Sequence, residues 1–241
     1  MSFSNGGHAM ESFHPSDTQR RAATAVGAAY LAAIPLALFA EFYVRGTLVV
    51  NGDSAATSQN ILEHAQLFRL GIVSSVLVFA VDVVLVAGLY LALKPVSHGL
   101  ALTATFFRLV ETAVILTVAL DDLAVLRMLA APGAQAMVEP TIAAHPDAYG
   151  VGLFFAGIGS TLFCYLWYVS RYIPRPLAAL GVVASVLMAA RELGVIISPE
   201  FGRVVSIAYY GGPIFIFEVI TGIWLLFVGL RSSSIDPVAK V

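Results

Sequence analysis

The sequence predicts an all-α polytopic membrane protein in which six transmembrane helices form one bundle. First, 59% of the 241 residues are hydrophobic and only 12% are charged, whereas about a quarter of the residues in a soluble domain are charged. Second, six apolar stretches are long enough to cross a hydrocarbon core, which takes roughly 20 helical residues. The predicted spans are residues 22–45, 67–93, 99–127, 149–170, 176–197 and 209–230.

The connections between these stretches contain residues that end helices. Proline and glycine punctuate K-P-V-S-H-G after the second span, R-Y-I-P-R-P after the fourth and S-P-E-F-G after the fifth. Two longer connections, 46–66 and 128–148, lie on the side opposite the N-terminus, and Asp53 or Ser54 is expected to cap a short helix in the first. We therefore predict three regions: a disordered or surface segment over 1–21, a membrane domain over 22–230 and a tail over 231–241.

Lysine and arginine are divided unequally between the two predicted sides. Since cytoplasmic segments are enriched in these residues, the distribution places both termini in the cytoplasm and the chain in the inner (plasma) membrane as a multi-pass protein. The lipid bilayer is its expected partner. With this orientation the inner segments hold Arg20, Arg21, Lys94, Arg171, Arg175, Arg231 and Lys240, and the outer segments hold Arg45, Arg127 and Arg203.

Charged residues inside the predicted spans are the candidate functional residues. A charge at the bilayer centre costs about 2.5–3.5 kcal/mol on insertion scales, so such residues normally face the bundle interior or a water-filled cavity. In the third span, at 100° per residue, Arg108, Glu111 and Asp122 share a face with small residues such as Ala104. The opposite face carries bulky residues such as Phe106. This pattern predicts that the polar face points into the bundle.

Most of the intramembrane charges lie at one level, the outer half of the predicted bundle. We expect Arg108 to anchor a ligand, Glu111 and Glu218 to be the titratable groups, and the remaining charges to form a supporting ring. The candidate ligand-binding residues are Arg108, Glu111, Glu218, Arg69, Glu41, Arg191 and Asp122.

Two interpretations fit this layer of charge. Acids and arginines could neutralise one another in a buried network that fixes helix register. Alternatively, they could line a polar cavity open to the outer side, because the acids outnumber the arginines. The leading hypothesis is a protein that binds a small or amphipathic ligand there, with proton coupling. The alternatives are a membrane-embedded enzyme that uses paired carboxylates as acid and base, and a structural or accessory subunit.

Several other functions are disfavoured. The net charge of −2, without a basic block, gives no basis for nucleic-acid binding. A single cysteine, Cys164, forms no internal disulfide. All five histidines fall outside the predicted spans, which argues against intramembrane haem held by two histidines and against histidine-bound zinc. No metal or cofactor is expected. The histidines are His8, His14, His64, His98 and His145.

Several stretches together resemble the bacterial six-helix membrane proteins of domain-of-unknown-function family 4386. The resemblance covers about residues 20 to 230 and implies the fold and a membrane location, but no activity. Members of that family often carry a histidine near the position of Gly159. The stretches are A-E-F-Y-V-R-G, G-D-S-A-A-T-S-Q-N-I-L, L-F-R-L-G-I-V, V-D-V-V-L, L-Y-L-A-L-K-P-V, F-R-L-V-E and R-Y-I-P-R-P-L.

Overall fold

A computed structural model describes residues 14–50, 52–131 and 137–232 and shows an all-α protein. The first helix, α1, continues as a π-helical segment over Leu38–Arg45 and ends in the single turn α2. The helices are α1 (Asp17–Ala37), α2 (Gly46–Leu48), α3 (Ser54–Glu63), α4 (Ala65–Leu93), α5 (His98–Ala130), α6 (Val138–Ser170), α7 (Arg175–Ile197), α8 (Pro199–Val204) and α9 (Ala208–Phe227).

Five helical rods in the described chain are long and apolar enough to cross a membrane. They are Asp17–Leu48, which combines α1, the π-helical segment and α2, together with α4, α6, α7 and α9. The third predicted span corresponds to α5, which is 33 residues long and is not among these five. The chain is therefore a multi-pass membrane protein by the length and composition of five helices.

The six long helices pack as a closed ring in chain order. Each contacts the next along the chain, and α9 closes the ring against α1. Gln19 at the start of α1 donates hydrogen bonds to the carbonyl of Ala92 (3.0 Å) and the hydroxyl of Tyr172 (3.3 Å). The backbone N–H of Arg231 donates to the carbonyl of Tyr172 (3.1 Å). These hydrogen bonds connect the chain segments at one end of the bundle, which we call the N-terminal end. The opposite end carries α3 and is called the α3 end.

Small residues allow neighbouring helices to approach closely, as is usual in membrane bundles. A Cβ on Gly27 of α1 would lie 2.8 Å from the carbonyl oxygen of Gly222 on α9. A Cβ on Gly157 of α6 would lie 2.7 Å from the backbone nitrogen of Ala189 on α7. At both positions the opposing atom belongs to a backbone, so the side chain cannot simply move aside.

Several helix boundaries differ from the prediction. α1 begins at Asp17 rather than at 22, because Ser16 and Gln19 form a reciprocal capping box. Gln19 is only 3% exposed, so the end of the predicted surface segment is part of the packed fold. Residues 1–13 of that segment and 233–241 of the tail lie outside the described residues. α6 begins at Val138 rather than at 149, which makes much of the predicted second connection helical.

Two local predictions are confirmed. The carboxylate of Asp53 accepts a hydrogen bond from the N–H of Ala56 (2.8 Å) and caps α3. On α5, the small polar face is buried, including Ala104 with no exposed surface, whereas Phe106 on the opposite face is 60% exposed. Arg108, Glu111 and Asp122 therefore lie on the inward side of α5, as the helical periodicity predicts.

Candidate functional site

The centre of the bundle contains an ion network around Arg108 of α5. One guanidinium nitrogen, Nη2, lies 2.5 Å from the carboxylate of Asp82 on α4. The Nε atom lies 3.1 Å from the carboxylate of Glu111, three residues further along α5. Side chains three apart on a helix are neighbours, so the F-R-L-V-E sequence itself brings Arg108 and Glu111 together. One arginine therefore faces two carboxylates.

Hydroxyl groups complete this network. Thr112 donates to the second carboxylate oxygen of Asp82 (2.7 Å), and Arg108 Nη1 donates to the hydroxyl of Ser160 on α6 (3.4 Å). The aliphatic part of Arg108 lies against Gly159, where a Cβ would come within 2.8 Å of the arginine Cγ. A larger residue at 159 would collide with this arginine, so Gly159 and Arg108 fit each other.

A small cavity adjoins Arg108 at mid-height in the bundle. Its accessible volume is about 10 Å³, which is close to the minimum for one water molecule. Leu89 and Cys164 lie near the C-termini of α4 and α6, at the N-terminal end of the bundle, so the cavity extends from Arg108 toward that end. The opening at the α3 end that the sequence indicates stays a prediction. The lining residues are Tyr30, Leu85, Leu89, Arg108, Ser160, Phe163, Cys164 and Glu218.

Glu218 of α9 is the acid that lines this cavity. Among the residues that the structure describes, it forms no ion pair and no hydrogen bond. Arg108 is its nearest source of positive charge, and Arg108 is already paired with Asp82 and Glu111. The predicted titratable group is thus placed beside the predicted anchor, with room for one water beside them.

Comparison with known proteins identifies the family of this chain. Residues 25–229 match the family described as Domain of unknown function (DUF4386). The chain belongs to this family. An uncharacterized protein from Archaeoglobus fulgidus is 30% identical over 167 residues, which cover 68% of this chain and 86% of that protein. No solved structure matches the present chain. The resemblance inferred from the sequence is therefore confirmed at the level of the family.

A second polar cluster of this DUF4386 protein lies at the α3 end, around the π-helical segment. Glu41 lies 3.4 Å from His145 of α6, measured from Oε2 to Nε2. Arg45 of the same segment lies 3.4 Å from Asp122 of α5. We call Glu41, Arg45, Asp122 and His145 the α3-end quartet. Two predicted ligand residues, Glu41 and Asp122, therefore lie apart from Arg108 and belong to this quartet.

A third cluster joins α7 to α9. Arg191 Nη1 lies 2.9 Å from both carboxylate oxygens of its sequence neighbour Glu192, which is 2% exposed. The hydroxyl of Tyr210 donates to Glu192 (2.7 Å), and Arg191 Nε donates to the carbonyl of Val205 (3.3 Å). Arg191 is thus occupied by local partners, which differs from its predicted place in a ring around Arg108.

Arg69 also differs from its predicted place. It lies near the start of α4 on an exposed position and forms no ion pair with any described residue. The depth of a residue follows from its position along a helix, but the direction of its side chain requires the neighbouring helices. The candidate residues predicted to lie at one level are therefore divided among three separate clusters, and Arg69 is exposed.

Two important residues were absent from the predicted set. Asp82 of α4 was not among the candidate ligand-binding residues, although it forms the shortest ion pair with Arg108. His145 was assigned to a loop because α6 was expected to begin after it. Within the described residues, no group of three or more His, Cys, Asp or Glu side chains is arranged to hold a metal ion.

Proposed function

We propose that this DUF4386 protein is a six-span inner-membrane protein that binds a proton, with a water, in the cavity between Arg108 and Glu218. The observation that carries the proposal is Glu218, an acid that lines the cavity without an ionic partner among the described residues. Burial of a carboxylate is costly unless it is paired and hydrogen-bonded. Binding a proton removes that cost, so Glu218 is the group to which we assign it.

The charge balance around the cavity also favours a cation over an anion. Three acids, Asp82, Glu111 and Glu218, face one arginine. The other ionisable groups facing the cavity are Tyr30 of α1 and Cys164 of α6. An incoming anion would meet a site whose arginine is already shared between two carboxylates. A proton on Glu218 reduces the excess negative charge.

The volume of the cavity limits the size of the ligand that can bind. A drug-sized or amphipathic molecule needs a site of about 300–1,000 Å³, whereas this cavity has room for about one water. Binding of a larger ligand at Arg108 therefore requires the helices to separate. Arg108, Glu111 and Glu218 would form the floor of such a widened site. Proton binding at Glu218 is the step that fits the present conformation.

The position of Arg108 and Glu111 supports the inclusion of α5 as the sixth span. Arg108 and Glu111 are inside the bundle, and the outward face carries apolar side chains such as Phe106 and Leu120, which are 60% and 58% exposed. Such a face suits lipid, because the charges are hidden from it. An even number of spans and the excess of Lys and Arg at the N-terminal end support cytoplasmic termini.

Infrared spectroscopy of the purified protein in detergent or liposomes tests the proposal. A protonated carboxyl has a C=O stretch that a carboxylate lacks. We expect a buried-carboxyl band that rises as the pH is lowered in the wild type and is absent from the Glu218→Gln variant. Glu200→Gln is the matched control, since Glu200 is exposed and pairs with Arg203 at the surface. A spectrum that is identical in wild type and Glu218→Gln at every pH would overturn the proposal.

A further inference from the structure

The α3-end quartet is built around an irregular part of the first helical rod. The chain is π-helical over Leu38–Arg45, just after Pro35, which cannot donate a backbone hydrogen bond. π-helical turns are rare and frequently occur at functional sites. This segment carries both Glu41 and Arg45 and so contributes half of the quartet.

His145 is the buried member of the quartet. Its side chain is 8% exposed, whereas that of Glu41 is 27% exposed. The Nε2 atom faces Glu41, and Nδ1 is buried without a hydrogen-bond partner among the described residues. One nitrogen of the imidazole thus faces a carboxylate that solvent reaches, and the other faces the interior. A histidine in this arrangement can accept a proton on one side and release it on the other.

Tyr149 connects this histidine with the central network. It lies one helical turn after His145 on α6, and the two rings stack with centroids 5.8 Å apart and an angle of 7°. Tyr149 lies within electrostatic range of Glu41 and also of Glu111. The next turn of α6 brings Gly152 against α5, where a Cβ would lie 3.7 Å from the carbonyl oxygen of Glu111.

The same face of α6 leads on to the cavity. At 100° per residue, Tyr149, Gly152 and Ser160 all lie within about 60° of His145, and Ser160 lies about 22 Å further along the axis. Ser160 accepts the hydrogen bond from Arg108 and lines the cavity. One face of a single helix therefore extends from the quartet to the predicted anchor.

We propose that His145 and Glu41 form a proton-uptake site at the α3 end that supplies the central cavity by way of Tyr149 and Glu111. This inference rests on the proposed function of Glu218. A proton from solvent binds to Glu41, passes to His145 and leaves its Nδ1 atom through a bridging water to the Tyr149 hydroxyl, which takes up one proton as it releases another, again through water, to Glu111. Water carries the proton over the remaining distance to Glu218.

The charges around His145 favour this role. Glu41 and Arg45 from the π-helical segment, Asp122 from α5 and Tyr149 from α6 are the ionisable groups that face it. Two carboxylates against one arginine leave one negative charge, and a protonated His145 brings the quartet to neutrality. One added proton therefore balances the formal charge of the quartet.

The experiment follows the rate at which Glu218 gains its proton after a rapid drop in external pH. The wild-type protein is reconstituted in liposomes, and the carboxyl band assigned with Glu218→Gln is recorded over time. We expect the band in His145→Gln to rise at least about tenfold more slowly but to the same final height, because a positioned acid–base side chain contributes roughly 10²–10⁴-fold to proton transfer. Added imidazole is expected to restore part of the rate.

His64→Gln is the matched control, because His64 is an exposed histidine at the same end of the bundle. It is expected to leave the rate unchanged, and Glu41→Gln is expected to slow it. A band that rises equally fast in wild type and His145→Gln would overturn the uptake site alone. A wild-type protein without the Glu218 band would overturn the proposed function itself. Should His145→Gln unfold, Glu41→Gln, at a more exposed position, decides the question.

Discussion

Arg108 of α5 and Asp82 of α4 form the closest ion pair among the described residues, with 2.5 Å between Nη2 and Oδ1. The same guanidinium also contacts Glu111, and the second oxygen of Asp82 accepts a hydrogen bond from Thr112. Two neighbouring helices are therefore joined through one cation. The stability of the bundle and the chemistry of the cavity depend on the same side chain.

Replacement of Arg108 with alanine is expected to lower the free energy of unfolding by about 3–5 kcal/mol, because two buried carboxylates lose the cation that they share. Reversible unfolding in mixed detergent micelles measures this change. Arg203→Ala is the control: Arg203 and Glu200 are also an arginine–glutamate pair three residues apart, but their side chains are 79% and 71% exposed. It should cost only about 0–1 kcal/mol. If both variants behave alike, the central network does not hold α4 to α5.

The approach of α6 to α7 is expected to depend on Gly157. A Cβ at this position would lie 2.7 Å from the nitrogen of Ala189 and 2.8 Å from the carbonyl oxygen of Ser185. Since both are backbone atoms, Gly157→Ala should force the helices apart and destabilise the protein by about 1–3 kcal/mol. Thermal unfolding followed by circular dichroism measures the effect.

Gly211 of α9 offers the matching control, because a Cβ there meets no heavy atom within 4 Å. Alanine has the higher helix propensity, so Gly211→Ala should leave stability unchanged or raise it by up to about 1 kcal/mol. Equal destabilisation by the two substitutions would argue against close packing at Gly157.

Helical periodicity predicted the inward face of α5 because that helix is long and regular and places its small residues on one side. The burial of Ala104 and Ile115 and the exposure of Phe106 follow from the 3.6-residue repeat. The Arg108–Glu111 pair could be predicted for the same reason, since spacing along one helix decides it. Glu218 and Arg108 line the same cavity, which agrees with the similar membrane depths predicted for them.

Contacts between helices could not be predicted in the same way. Arg69 and Arg191 have depths similar to those of the other charges, but Arg69 turns outward and Arg191 pairs with Glu192. Depth alone does not state which neighbour a side chain meets. His145 was misplaced because Pro146 suggested a loop, whereas α6 continues through this proline from Val138. The π-helical segment, which positions Glu41 toward His145, has no sequence pattern of its own.

The loop that joins α6 to α7 is expected to make the protein sensitive to alkaline pH. Tyr172 lies in this loop with no exposed surface. Burial raises the pKa of its hydroxyl above the ordinary value, and the hydrogen bond from Gln19 lowers that pKa only in part. Folded Tyr172 therefore keeps its proton to a higher pH than the unfolded chain does. Stability from this group is present below about pH 10 and is lost as the pH rises above it.

Tyr172→Phe removes the ionisable hydroxyl while keeping the ring that packs edge-on against Trp167, at 6.4 Å between centroids. The variant should be less stable than wild type near neutral pH, because the amide of Gln19 loses a partner. The difference between the two unfolding free energies should narrow as the pH rises past about 10. Only the wild type loses stability there, because its Tyr172 hydroxyl ionises more readily in the unfolded chain than in the folded protein. Tyr209→Phe, at a residue that is 65% exposed, should keep a constant gap over the same range. Parallel curves for wild type and Tyr172→Phe would show that this loop does not respond to pH, and the alkaline loss of stability would then have to arise elsewhere in the bundle.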